Sequence, residues 1–169
     1  ISNLISPVSG DIFWNDSPFT HIINSHQFNY FPDLLTFFNE MNSSEIFKTL
    51  CLEPAKAIKF ASELSLDIEK PYQLLSKGNR QKTALCLAME RSTHATVSIF
   101  DEPFTGLDIE TRNKAMAILA VIFDSSQSKR LLVSLHTEKL PLHWSDSTLS
   151  IDQGLINLSG PCADIYEAR

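Results

Sequence analysis

One run, "ATVSIF" (residues 95–100), constrains the fold of this chain more than any other stretch. It is β-branched, largely apolar and uncharged, without the clean alternation of a half-exposed strand. Such a run reads as a strand covered on both faces, the position strands take in a parallel sheet. A second run of the same type, "RLLVSL" (130–135), follows a helical stretch at about 110–123. Strand, helix and strand in that order predict an α/β fold on a mostly parallel sheet. "STLSID" (147–152) and "GLINL" (154–158) read as shorter closing strands.

Upstream the pattern changes. "DIFWN" and "THII" (20–23) are short β-prone runs, separated by the turn signal Asn15-Asp16-Ser17-Pro18. From Asp33 to about Lys70 apolar residues recur at helical spacing. They are Leu34, Leu35, Phe37 and Phe38, then Ile46, Phe47 and Leu50, then Ala57, Ile58, Phe60, Ala61 and Leu64, with Pro54 and Pro71 as punctuation. Together with the apolar helix after "SKGNRQK", they predict a helical subdomain at about 33–92 inserted into the α/β frame. With 43% hydrophobic and 20% charged residues, the 169-residue chain suits one folded domain rather than disorder. The net charge of -6 argues against nucleic-acid binding, and the longest apolar run, 115–123, is too short to insert across a bilayer. Cys51, Cys86 and Cys162 form no CxxC pair, which fits a reducing, cytosolic setting and gives no sign of a zinc site.

The chemistry concentrates where the buried runs end. "ATVSIF" stops in Asp101-Glu102-Pro103, and ligands of open parallel sheets bind beyond the carboxyl ends of the strands. Two adjacent acids there suit a cation and a reaction, with Asp101 on the water shell of a Mg²⁺ and Glu102 polarising an attacking water. The plainer alternative is an acidic strand end that caps the next helix. His136 follows the second buried run and would donate a hydrogen bond to a phosphate oxygen, unless it is structural. Gln27, after "THII", is expected on the same edge, positioning metal or water. "LLSKGNRQK" (74–82) opens the long apolar helix. It is either an ordinary start capped by Ser76 or Asn79, or an anion site that uses the helix's free N–H groups. Lys77 and Arg80 either add positive charge to that site or form an ordinary solvated cluster.

In order and spacing, Gln27, "LSKGNRQK", "TVSIFDEPFTGLD" and "LLVSLH" resemble the Q-loop, signature motif, Walker B, D-loop and H-loop of ABC transporter ATPase domains. "SPVSGDIFWND" and "DQGLI" resemble flanking elements of the same family, so the likeness covers essentially the whole chain. It implies a P-loop NTPase-like parallel sheet with an inserted helical subdomain. It also implies ATP and Mg²⁺ as ligands, a transmembrane permease as partner, and a homo- or heterodimer of ATPase domains at the inner face of the membrane. Ser76, Gly78 and Asp108 take the positions that reach toward ATP held by the other subunit. Lys77 and Asn79 depart from the commoner LSGGQ, and the "SKGxRQK" form resembles exporters of the drug-resistance type, so export is expected. Phe28, Tyr30 and Phe31 read as an exposed aromatic cluster for the contact with the permease.

The phosphate loop G-x-x-x-x-G-K-[ST] that the resemblance requires is not among the glycines at 10, 78, 106, 154 and 160. Since "ISNLI" reads as the tail of a helix, the sequence is expected to be an N-terminally incomplete domain, inactive as it stands. The competing reading is a non-catalytic half that lends its signature motif to a partner's ATP site.

Overall fold

The computed structural model describes residues 9–14, 16–18, 26–33, 35–124, 129–135, 148–152 and 155–159. The chain divides into two units, residues 1–135 and 136–169. Within the second unit, β6 (Thr148–Asp152) and β7 (Leu155–Ser159) pair antiparallel, with Ile151 opposite Ile156. The predicted closing strands are therefore present, the second shifted by one residue.

The first unit is built on a three-stranded parallel sheet of β3 (Phe28–Phe31), β4 (Val97–Asp101) and β5 (Arg130–Ser134), with β4 in the centre. As expected of a covered strand, Val97, Ser98 and Phe100 of β4 are buried. β5 differs from its sequence reading. Arg130, Leu132 and Ser134 are exposed and Leu131 and Val133 half-buried, the alternation of a strand whose second face is open. A separate two-residue pair, β1 (Phe13–Trp14) with β2 (Ser17–Pro18), is antiparallel, with Asp16 between them in the left-handed region at φ 62°.

β3 is a strand that sequence reading did not anticipate. "THII" lies outside the described residues, and β3 begins immediately after Gln27. "FNYF" alternates: Asn29 and Phe31 point inward and are buried, while Phe28 and Tyr30 are half-buried. The expected exposed aromatic cluster is thus a sheet strand. Phe31 is 1% exposed and stacks on Phe100 of the neighbouring strand with ring centroids 5.5 Å apart.

The helical part holds α1 (Ser43–Leu50), α2 (Pro54–Glu63), a 3₁₀ turn at Tyr72–Leu74 and α3 (Lys77–Ser92). Asn42 starts α1 with a reciprocal capping box. Its side chain accepts the Glu45 N–H, and the Glu45 carboxylate accepts the Asn42 N–H. Pro54 opens α2, where a missing N–H costs nothing. The apolar residues of 35–38 belong to no helix, and Phe38 is 76% exposed, so the predicted helical pattern begins only at α1.

α3 is the core helix. Every residue from Thr83 to Glu90 is buried, so it is covered on all sides rather than amphipathic. On the sheet side, the Asn29 side-chain amide donates to the Ala88 carbonyl and to Ser92 Oγ, both at 2.9 Å, and Ser92 Oγ lies 3.0 Å from Ser98 Oγ. Toward α2, the buried Glu90 carboxylate accepts the Glu53 N–H at 2.8 Å and faces His94 Nε2 at 3.3 Å. Burial, then the charge of Glu90 and its hydrogen bond, push the Cys51 thiol up to about 12. The carboxyl end of β4 leads through a loop into α4 (Ile109–Asp124).

Two expectations follow from this packing. Phe100→Ala is expected to lose about 3–5 kcal/mol of stability, because it empties the ring position against Phe31; urea unfolding measures the loss. With its thiol raised first by burial and then by Glu90, Cys51 should react with iodoacetamide at pH 8 far more slowly in the folded protein than after denaturation. Equal rates would contradict this covered placement of the thiol.

Candidate functional site

The carboxyl ends of the three parallel strands form the edge on which the candidate chemistry lies. β4 ends in Asp101, whose backbone pairs with Ser134 at the end of β5. The Ser134 hydroxyl donates a short hydrogen bond to Asp101 Oδ1. The Glu102 N–H reaches the Ser134 carbonyl at 3.2 Å and the Ser134 Oγ at 3.1 Å. Glu102 itself sits in the left-handed region at φ 46°, a conformation that costs a non-glycine residue about 1–3 kcal/mol. One Glu102 oxygen, Oε2, accepts from Thr105 Oγ1 at 3.1 Å, and the Glu102 carbonyl accepts the Thr105 N–H. The strand therefore ends at Asp101, and the chain turns at Glu102.

The start of α3 is packed against the loop that follows these acids. Ser76 caps the helix by accepting the Asn79 N–H at 3.3 Å, which decides between the two capping candidates. Gln81 Nε2 donates to the Pro103 carbonyl at 3.1 Å. A Cβ at Gly78 would stand 3.0 Å from the Gly106 carbonyl oxygen, closer than such contacts normally come, and Gly106 takes φ +78° to make the turn. The start of α3 is thus held against the loop that follows Asp101 and Glu102. Arg80 is engaged within the chain: it donates to the Gln73 carbonyl at 2.9 Å and lies 5.2 Å from the Tyr72 ring centroid. Of the two predicted cations only Lys77 fits the solvated reading, with its stem beside Gly106.

Asp108 begins α4 as a cap. Its Oδ1 accepts the Thr111 N–H and its Oδ2 the Thr111 hydroxyl, both at 2.8 Å. The N–H bond first, and the hydroxyl bond second, hold its carboxyl below the usual value. Gln27 does not join the site. Its carbonyl accepts the Thr96 and Val97 N–H groups, which fixes it at the amino end of β4, the opposite edge from Asp101. The reason is β3 itself: it starts at Phe28, so Gln27 stands before its amino end. His136 lies outside the described residues.

Two residues on this edge escaped the sequence reading. Ser134 passed as one polar residue in a buried run. Asp33 follows Pro32 at the carboxyl end of β3, one strand over from Glu102, since Phe31 pairs with Phe100. The signal for it was "FNYFPD", a strand closed by proline and followed by an acid, much as "VSIFDEP" is. Tyr30, expected in an exposed aromatic cluster, is instead affected by these acids: burial, then the negative charge of Asp101, raise its phenol above the usual value.

The donor set fits a hard, hydrated cation. Among the described residues no three His, Cys, Asp or Glu side chains gather as a cage. Mg²⁺ does not need one, since it keeps several waters and binds through one or two carboxylates and substrate phosphates. A carboxylate offers about four acceptor positions, so the Ser134 bond leaves Asp101 able to hold a metal's water shell.

No family model matches the chain. Curated relatives do match. Over 121 residues it is 32% identical to a sulfate/thiosulfate import ATP-binding protein of Mesorhizobium japonicum, covering 68% of this chain and 34% of that protein. A phosphonates import ATP-binding protein of Stutzerimonas stutzeri is 34% identical over 93 residues, 55% of this chain and 33% of the relative. The chain spans about a third of the length of these two relatives. Among solved structures, an ATP-binding subunit of an ABC transporter aligns with a TM-score of 0.79 at 22% identity, over 99% of this chain and 73% of that one. A bacterial Atm1-family ABC exporter with ATP bound gives 0.80 at 16% identity, over 99% and 31%. At these identities the structures establish the fold alone, a P-loop NTPase-like α/β sheet with helices.

The Gly78–Gly106 approach sets two effects against each other. Helix propensity alone favours Gly78→Ala by about 1 kcal/mol, whereas the 3.0 Å contact forces the loop after Glu102 to move. The contact is expected to win, so Gly78→Ala should lower Tm. A higher Tm would show that the helix start is free of the loop.

Proposed function

Because the chain belongs to the ATP-binding subunits of ABC transporters, we propose that it is part of an ATPase that drives transport through a separate membrane-embedded permease. The observation that carries the proposal is the adjacent pair Asp101 and Glu102 at the end of the central strand, with the first turn of α3 held beside it.

In this reading the substrate is ATP. Mg²⁺, when bound, offsets the charge of its phosphates, and Asp101 holds the metal through its water shell. Glu102 accepts a proton or hydrogen bond from the water that attacks the γ-phosphate. The hydroxyl of Ser76 and the free N–H groups around Gly78 present donors at a helix N-terminus, the geometry suited to phosphate. They would serve ATP held by a second ATPase subunit, identical or related, with Asp108 on the same face of the pair. His136 would donate to a phosphate oxygen. Gln27 has no part in the reading, since it stands at the other end of the sheet.

The "SKGxRQK" resemblance favours export, whereas the curated relatives named above are import proteins. Among the described residues no helix is long and apolar enough to cross a membrane, and the proposal assigns attachment at the inner membrane face to the permease.

The test is MgATP hydrolysis by the complete gene product, with and without Glu102→Gln. The variant should still bind MgATP while turnover falls by about 10²–10⁴-fold, the usual contribution of a positioned acid–base group. Undiminished turnover in the variant would remove Glu102 from this role. No MgATP binding by the unaltered protein would overturn the ATPase reading altogether.

A further inference from the structure

We propose that Ser134 is a positioning residue for both carboxylates, fixing the orientation of Asp101 toward the metal and of Glu102 toward water. The inference rests on the ATPase reading given above. The Ser134 side chain bonds to both members of the acidic pair. Its hydroxyl donates to Asp101 Oδ1. The same oxygen accepts the Glu102 N–H at 3.1 Å, a bond shared with the Ser134 carbonyl at 3.2 Å.

The chemistry of a hydroxyl explains why serine suits this place. It has one proton to give and lone pairs to receive, so a single oxygen can tie a carboxylate to a backbone N–H. The proton given to Oδ1 fixes the carboxylate rotamer and leaves the second oxygen for the metal's water shell. A carboxylate without that donor would rotate freely, because Asp χ2 is a broad torsion. The lone pair given to the Glu102 N–H supports the turn at φ 46°, from which the Glu102 side chain departs. Ligand-orienting partners of this kind typically alter metal affinity or activity by about 10–100-fold when removed.

A serine that merely filled space on an exposed strand end would behave differently. Its Cβ projects from an open face of β5, where Ala or Thr would be accommodated equally well. The strand itself is held by its backbone pairing to β4, from Val97 opposite Arg130 to Asp101 opposite Ser134. Loss of the hydroxyl should therefore leave the sheet intact and change the acids.

The experiment compares Ser134→Ala and Ser134→Thr in the complete protein. Mn²⁺ affinity in the presence of ADP, followed by electron paramagnetic resonance, reads Asp101 independently of turnover. Steady-state hydrolysis at saturating Mg²⁺ reads Glu102. Ser134→Ala should weaken Mn²⁺ binding about tenfold and lower kcat with little change in KM for ATP. Ser134→Thr, which keeps the hydroxyl, should restore both. Mn²⁺ affinity and kcat within twofold of the parent in Ser134→Ala would overturn the inference. So would a Thr variant as impaired as the Ala variant, or a lowered Tm with metal binding unaltered. If the parent protein binds no metal–nucleotide at all, the ATPase reading falls, and the inference with it.

Discussion

Three small polar side chains buried between α3 and the sheet determine where the remaining parts of the first unit can lie. Asn29 of β3, Ser98 of β4 and Ser92 of α3 are joined through the Ser92 hydroxyl, which also donates to the Ala88 carbonyl. An apolar interface would let a helix slide or roll with small loss. Here any shift of α3 strips a buried donor of its acceptor, at about 1–3 kcal/mol for each group left unpaired. The helix is therefore locked in both rotation and translation. Its 16 residues then act as a rod about 24 Å long, and the lock at its carboxyl end decides where its first turn arrives. That turn arrives beside the loop that follows Glu102.

The carboxyl end of α3 receives further anchors of a different kind. Lys129, just before β5, donates to the Ser92 and Thr93 carbonyls at 3.0 and 2.8 Å, a cation where the helix dipole favours one. Glu90 reaches to the other side, and its bond to the Glu53 N–H ties α3 to the residue before α2. A buried carboxylate is a poor source of stability, because desolvation offsets most of what its partners return. Its effect is directional. It accepts from one backbone N–H and faces one imidazole, and so ties the helical part to α3 in a single arrangement.

How much of this was legible in the sequence depends on the range of the interactions involved. β4 was visible because a covered central strand must be apolar over its length, and Asp101 and Glu102 were visible as its abrupt end. Capping is equally local, so Ser76 as the start of α3 lay within reach. β3 was not visible, since "FNYF" carries the composition of an aromatic loop as well as of a strand. Only the pairing with β4, some seventy positions on, decides between them. Without β3 in view, Gln27 was expected on the edge it does not occupy, while Asp33, just past the carboxyl end of β3, was passed over. Ser134 was hidden for a related reason. Its significance lies in the register with Asp101, and no pattern within "RLLVSL" records which strand lies alongside.

The two ends of α3 are held in contrasting ways. At the carboxyl end the anchors are buried, run through side chains and involve both neighbouring strands. At the amino end two ties to the acidic loop are made through backbone carbonyls, Gln81 to Pro103 and the close approach of Gly78 to Gly106. Backbone carbonyls are fixed by the path of the chain, and that path is set one step earlier by the left-handed turn at Glu102. The position of the first turn of α3 therefore follows the conformation of Glu102. Ser76 takes one N–H of the first turn, and α-helical geometry leaves four such groups without partners inside the helix. An acid that must hold an unfavourable backbone angle, and a helix start with donors to spare, are thereby connected through a loop of a few residues. Neither feature contributes to the stability of the sheet, and their proximity is what the buried lock at the far end of the helix secures.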